Sequence, residues 1–147
     1  GLSLMVALAH GGLWSIQLDT QRSTVLQTGL NVQIKSMIFS RDSKWLLVSG
    51  DKGALGLWNM SVGGWLWRIR WRKTLVAACF SSDSKFLYLS SSNELVVFER
   101  AKGKVINRTR ILDPVVDMVS LSGDRLCLAS HGALHFFQWR QPNHQLC

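Results

Sequence analysis

The amino-acid sequence predicts an all-β protein that is assembled from repeated four-stranded units. Three observations predict this class. Similar segments return about every 40 residues, the apolar runs are short and bounded by Gly, Ser and Asp, and no segment has the pattern of an amphipathic helix. Length and composition agree, because 147 residues with 47% hydrophobic and 18% charged residues suffice for the core of about one domain.

The repeat is clearest in the middle of the chain. "FSRDSKWLLVSGDKGALGLWN" begins at Phe39, its copy "FSSDSKFLYLSSSNELVVFE" begins at Phe80, and a third copy, "VSLSGDRLCLASHGALHFF", begins at Val119. A shortened first copy explains why "AHGGLWSI" near the start looks like "SHGALHFF" near the end. The copies divide the chain into a half unit at 1–33, full units at 34–74 and 75–114, and a partial unit at 115–147.

Each full unit contains four strand patterns, which we label a to d. In the second unit they are Ile34 to Ser40, Trp45 to Ser49, Leu55 to Asn59 and Trp65 to Arg72. Four strands in about 40 residues is the arithmetic of a β-propeller blade. The sequence therefore predicts propeller blades of four antiparallel strands, about three and a half in number, with the missing blades elsewhere in the parent chain. A β-sandwich or barrel with accidental self-similarity is the alternative.

The buried residues follow from the same pattern. Strands b carry apolar residues at equivalent positions of the three copies, and these side chains are expected in the core. They are Leu46, Val48, Leu87, Leu89, Leu126 and Leu128.

The stretch "RDSKWLLVSGDKGALGLWN" resembles a repeat of the WD-repeat (WD40-like) family, and the resemblance extends over almost the whole chain. Ser49, Asp51 and Trp58 stand where that family has a small polar residue, the Asp of the b–c turn and the Trp that ends strand c. The family often joins these three to a His before strand a, but no copy here has that His. The resemblance implies structural roles for the three residues, with Ser49 accepting the indole N–H of Trp58.

No constellation of residues predicts catalysis, a metal site or a cofactor. Asp42 and Asp83, with Asp124, recur in the a–b turns, where Asp caps a turn through its own backbone. His10 and His131 share a b–c turn position in different units, which leaves a metal site as the alternative to plain turn residues. The three Cys residues have no metal spacing and are expected to be reduced thiols, with Cys79 and Cys127 inside strands.

The charge of the chain is the most informative feature for function. The net charge is +8, and in "GGWLWRIRWRK" Arg68, Arg70 and Arg72 alternate with apolar residues, which places them on one face of strand d. Arg108 and Arg110 follow 40 residues after the first two. Since strand d is the outer edge of a blade, these five residues are candidates for binding an acidic protein or a nucleic-acid backbone. The alternative is protection of an exposed edge.

These observations predict a non-enzymatic protein-interaction scaffold within a larger intracellular assembly, the role that the resemblance implies. The alternative is a nucleic-acid-associated propeller, of the RNA-processing or ribosome-assembly type, that binds through its basic rim. No apolar run is long enough for a membrane span. The reduced thiols favour an intracellular protein, although the sequons at Asn59 and Asn107 point the other way.

Overall fold

Strands account for nearly all the regular structure. The computed structural model describes residues 2–26 and 28–139, and these contain 14 β-strands and one 3₁₀ turn at Asp51–Gly53. The strands form four antiparallel sheets. The described chain divides into two compact units: one has residues 2–26, 28–39 and 43–72, and the other has residues 40–42 and 73–139.

The first unit contains a three-stranded and a four-stranded sheet. In each sheet every strand pairs with the next one along the chain, in the orders β1-β2-β3 and β4-β5-β6-β7. The strands are β1 Ser3–Ala7, β2 Leu13–Gln17, β3 Ser23–Leu26, β4 Ile34–Phe39, β5 Trp45–Gly50, β6 Ala54–Asn59 and β7 Gly64–Arg70.

The second unit repeats this plan with a four-stranded and a three-stranded sheet. Their orders are β8-β9-β10-β11 and β12-β13-β14. The strands are β8 Ala77–Phe80, β9 Phe86–Ser91, β10 Glu94–Glu99, β11 Lys104–Arg110, β12 Val115–Ser120, β13 Arg125–Ser130 and β14 Ala133–Gln138. The prediction of antiparallel blades with up to four strands is therefore confirmed, and strands a to d are consecutive neighbours within each complete sheet.

The core of the first unit forms around the strands in the middle of its sheets. Leu13, Leu46, Val48 and Trp58 are at most 3% exposed and make one cluster, which confirms the prediction for Leu46 and Val48. Strands β5 and β6 are buried on both faces, so their sequences are nearly continuous apolar runs and do not alternate.

The second unit buries its middle strands in the same way. Tyr88, Leu95 and Val97 belong to a cluster that also takes in Leu126 and Leu128 of the next sheet. On the opposite face of the same strands, further apolar side chains are no more than 1% exposed; they are Leu87, Leu89, Val96 and Phe98. All six predicted core residues are thus buried, because strand b lies inside its sheet in every copy.

Candidate interaction surface on the outer strands

The last strand of the first complete sheet, β7, carries the first group of candidate arginines. Arg68 and Arg70 are exposed, whereas their neighbours Trp67 and Ile69 are half-buried. This is expected because successive side chains of a strand point to opposite faces of the sheet. Strand β7 pairs only with β6 among the described strands, so its outer backbone edge is the edge of the sheet. Arg72 is exposed but lies two residues beyond the strand, which ends earlier than the sequence predicted.

The second group lies on β11, the last strand of the other complete sheet. Arg108 and Arg110 are exposed there and alternate with half-buried Asn107 and Thr109. The structure therefore places four of the five candidate arginines on two outer strands, with Arg72 just beyond the first, and the two groups belong to different compact units.

An acidic residue that sequence reasoning missed pairs with one of these arginines. Glu94 Oε2 lies 2.7 Å from Lys73 Nζ and 3.2 Å from Arg108 Nη1. The hydrogen bond from Lys73 and the charge of Arg108 hold the pKa of Glu94 below its ordinary value. The signal was present in the sequence, because Glu94 opens the strand that runs antiparallel to Arg108 and Arg110.

The sheet β4-β5-β6-β7 has no carboxylate at the position that corresponds to Glu94. Ala54 occupies the position of Glu94, and Arg70 is its pairing partner on β7. Neither Arg68 nor Arg70 forms an ion pair with another residue in the described part of the chain. Exposed arginines without a carboxylate partner are available to a ligand, so the two outer strands differ in what they present.

A groove of about 360 Å³ lies beside these two arginines, within the first unit. Its lining is Val32, Asp51, Lys52, Ala54, Arg68, Ile69 and Arg70. Lys52, which sequence reasoning also missed, has φ 55° and sits in the b–c turn, where the backbone reverses between β5 and β6. The groove thus combines three cationic side chains, one carboxylate and an aliphatic floor.

The buried network that the family resemblance implied is not formed. Ser49 Oγ lies 2.6 Å from Ser36 Oγ on β4, and strand pairing places Leu46, not Ser49, opposite Trp58. Asp51 Oδ1 is buried without a hydrogen-bond partner among the described residues. The prediction that Ser49 accepts the indole N–H of Trp58 is therefore wrong. Three residues along a strand separate Ser49 from that position, which is about 10 Å.

Trp58 is nevertheless a central core residue. It is 3% exposed, and its ring meets that of Trp65 edge to face with centroids 5.0 Å apart. Trp65 Nε1 donates a hydrogen bond of 2.7 Å to the carbonyl oxygen of Thr28. An aromatic pair therefore occupies the place where the family resemblance implied a polar network, and sequence spacing alone did not reveal it.

Solved structures share this arrangement of strands, although no protein-family model and no curated protein matches the chain. The β-propeller domain of Cps50 (Swd1) from Myceliophteria thermophila is 17% identical over 92% of this chain and 48% of that chain, with a TM-score of 0.77. The RRP9 WD40 repeats are 15% identical over 92% and 47%, with a TM-score of 0.74. Hydrazine synthase from Kuenenia stuttgartiensis is 16% identical over 92% and 42%, with a TM-score of 0.73.

These likenesses, added to the four sheets, decide the fold. The chain has the fold of a partial WD40-like β-propeller. The sandwich or barrel alternative is wrong. The chain spans less than half the length of each of these three structures. The WD40 fold is one that protein-interaction scaffolds use, and a fold by itself does not fix an activity.

The acidic residues of the a–b turns act locally in these blades. Asp42 Oδ1 accepts a hydrogen bond from Ser40, and Asp83 Oδ1 accepts one of 2.7 Å from Ser81 and another of 3.0 Å from the N–H of Lys85. Partial burial works against ionisation of Asp83, but these hydrogen bonds outweigh it and lower its pKa.

Asp124 does not repeat this role. Its carbonyl oxygen accepts a hydrogen bond from the N–H of Trp139. In the two complete blades the equivalent bonds run from the N–H of Met60 to the carbonyl of Lys44 and from the N–H of Arg100 to the carbonyl of Lys85. Asp124 is therefore the counterpart of Lys85, and the prediction that it repeats the role of Asp83 is wrong.

The residues with metal-binding or nucleophilic chemistry are dispersed. Burial raises the pKa of the Cys79 thiol to about 12, which keeps it protonated. His10 and His131 are exposed turn residues, and no group of three His, Cys, Asp or Glu within 2–26 and 28–139 is arranged to hold a metal ion. His144 and Cys147 lie outside the described residues. No helix in the described chain is long and apolar enough to cross a membrane.

Proposed function

We propose that the protein is a non-enzymatic protein–protein interaction scaffold that holds an acidic partner within a larger intracellular assembly. The observation that carries the proposal is the pair of exposed arginines on β7, Arg68 and Arg70, which have no carboxylate partner among the described residues. A scaffold needs a rigid framework with an accessible, chemically distinctive surface, and an outer strand of a propeller blade offers both.

The local chemistry of the blades supports a role without catalysis. The carboxylates of Asp42 and Asp83 accept hydrogen bonds within their turns, and Cys79 is protonated because it is buried. A nucleophile or general base needs the opposite setting, with an accessible group whose pKa is matched to its task.

The repeat supports a further part of the proposal, the division into a half blade at 1–33, blades at 34–74 and 75–114, and a partial blade at 115–147. The chain spans less than half of the propellers that it matches. Further blades that complete a closed ring are therefore part of the proposed assembly.

A nucleic-acid-associated propeller is the second candidate function. The net charge of +8 favours it, because a basic surface attracts a phosphate backbone regardless of sequence. Binding of this kind weakens steeply as salt rises, whereas docking with apolar contacts does not.

Replacement of all five candidate arginines by Gln tests the proposed surface: Arg68, Arg70, Arg72, Arg108 and Arg110. Binding to polyglutamate and to a 20-nucleotide single-stranded RNA is measured by fluorescence anisotropy over a salt series, with thermal melts of both proteins as the folding control. We expect polyglutamate binding to fall sharply with an unchanged melt. For RNA, each lost phosphate contact should reduce the magnitude of the slope of the logarithm of the binding constant against the logarithm of the salt concentration by about one unit. If binding of both probes is unchanged, the arginines serve only to protect an exposed sheet edge. If the variant no longer shows a cooperative thermal transition, the arginines are needed for folding.

A further inference from the structure

The groove beside β7 is built differently from a plain basic patch. Lys52, Arg68 and Arg70 surround it, and Val32 and Ala54 give it an aliphatic floor, since Ala54 pairs with Arg70 and shares its face of the sheet. Arg68 and Arg70 are two residues apart on one face of a strand, so their backbone positions are about 6.8 Å apart. An extended peptide places every second side chain at the same spacing. The groove is therefore matched to a segment with acidic residues at alternate positions.

Asp51 adds an acceptor to this groove. Its Oδ1 atom is buried and lacks a hydrogen-bond donor among the described residues, although the residue lines the groove. Asp51 is half-buried and lines the groove, so the accessible part of its carboxylate can accept a hydrogen bond from an occupant. A peptide brings backbone N–H groups, and a bond from N–H to a carboxylate is among the stronger hydrogen bonds.

We infer that this groove binds an extended acidic segment of a partner protein. Two carboxylates of the segment pair with Arg68 and Arg70, a backbone N–H donates to Asp51, and the methylene groups of those acidic side chains cover Val32 and Ala54. This inference rests on the proposed scaffold function and narrows it to one blade and one kind of ligand.

The same residues disfavour a nucleic acid in the groove. The phosphodiester groups of a nucleic acid carry no N–H or O–H for Asp51, and their negative charge is repelled by that carboxylate. The floor is aliphatic, whereas single-stranded nucleic acids are held by aromatic side chains on which bases stack. Acidity, a hydrogen-bond donor and aliphatic bulk occur together in a peptide.

The corresponding place on the other complete blade lacks this chemistry. Glu94 already pairs with Arg108, and the b–c turn that supplies Asp51 and Lys52 is one residue shorter there. Arg108 and Arg110 thus provide a matched control, because they occupy the equivalent strand without the groove.

The test uses the full chain, a labelled peptide of alternating Glu and Val residues, and a hexameric oligouridine RNA. Fluorescence anisotropy compares the wild type with the pair Arg68→Gln/Arg70→Gln, the control pair Arg108→Gln/Arg110→Gln, and the single change Lys52→Gln. We expect the first pair to weaken peptide binding by at least about tenfold, Lys52→Gln to weaken it less, and the control pair to change it by less than about twofold. Thermal melts confirm folding, and Lys52→Gln keeps the test decisive if the first pair does not fold.

The role of Asp51 is tested by coupling. Peptides that are N-methylated at one position at a time lose one donor each, and we expect one position to cost about tenfold with the wild type and little with Asp51→Ala. Absence of such coupling would overturn the assigned hydrogen bond. If both arginine pairs weaken peptide binding equally, the proposal that the groove binds the segment is wrong, and the proposed basic surface stands. If neither pair affects peptide or RNA binding, both proposals are wrong.

Discussion

The two complete blades have the same backbone plan and present different surfaces. Both run through four strands in chain order, and both have a register shift at the same place, between Leu57 and Trp58 in one blade and between Val97 and Phe98 in the other. On the third strand, however, Ala54 corresponds to Glu94 and Gly56 to Val96. The strands therefore keep their core and pairing while single positions set the charge and the packing of the outer surface.

The third strand also decides what the fourth strand can do. Glu94 forms an ion pair with Arg108, whereas Ala54 provides no such partner for the arginines of β7. Gly56 leaves room for the ring of Trp65, since a Cβ at this glycine would lie 2.5 Å from Trp65 Cζ3. Two blades of one chain thus share a fold and differ in the charges beside their outer strands, because Ala54 and Glu94 stand at the first position of the third strand, outside the buried core clusters.

The largest expected effect is the loss of a core leucine, and it should be the same in both blades. Leu46→Ala and Leu87→Ala each remove a side chain that is 0% exposed, so each should lower the free energy of unfolding by about 2–5 kcal/mol. Urea unfolding followed by circular dichroism measures both. A loss below about 1 kcal/mol in one blade only would show that the two cores are not equivalent.

The second largest effect concerns Gly56 on the third strand, where only the first complete blade has a glycine. Gly56→Ala forces Trp65 away from its position against Trp58 and from its hydrogen bond to Thr28, which should cost about 1–3 kcal/mol. Gly64→Ala is the matched control, because nothing lies within 4 Å of the Cβ that it would add. Thermal melts of the two variants should differ clearly, and equal melts would contradict the packing described for Trp65.

A carboxylate on the third strand of the first complete blade should remove the binding property of that blade. Ala54→Glu places a carboxylate beside the arginines of β7 and should weaken binding of the Glu–Val peptide by about tenfold, or about 1.4 kcal/mol. Glu94→Ala releases Arg108 and should leave binding at β7 unchanged. Neither should change stability by more than about 1 kcal/mol, since exposed ion pairs contribute little. Peptide titrations and melts check both, and full affinity with Ala54→Glu would count against the groove.

The smallest expected effect is a pH dependence confined to the second unit. The pKa of Asp83 in the folded chain is lower than its ordinary value of 3.8, so the unfolded chain binds its proton more readily. The stabilisation is complete above about pH 5, shrinks as the pH falls through 3.8 towards the folded-state pKa, and stays under about 1 kcal/mol because the group is largely exposed. Hydrogen exchange of peptides from β9 should show this acid sensitivity in the wild type and less of it in Asp83→Asn.

The repeat and the alternation of apolar residues were sufficient to predict the strands, their order within a blade and the six buried leucine and valine positions. These features depend on local pattern, because period-two alternation and turn residues act over a few positions. The exposed placement of Arg68 and Arg70 was predicted for the same reason. The end of β7 before Arg72 was not, since strand ends depend on the neighbouring strand.

Only the tertiary structure decided which side chains meet across strands. The sequence contains Glu94, Lys52 and Trp65, but nothing local shows that Glu94 reaches Arg108, that Lys52 borders a groove, or that Trp65 rather than Ser49 packs near Trp58. Register fixes these contacts, and register is set by the pairing of whole strands. The sequence by itself determined the blades of this protein, and the pairing of those strands determined that Arg108 forms an ion pair while Arg68 and Arg70 on β7 form none among the described residues.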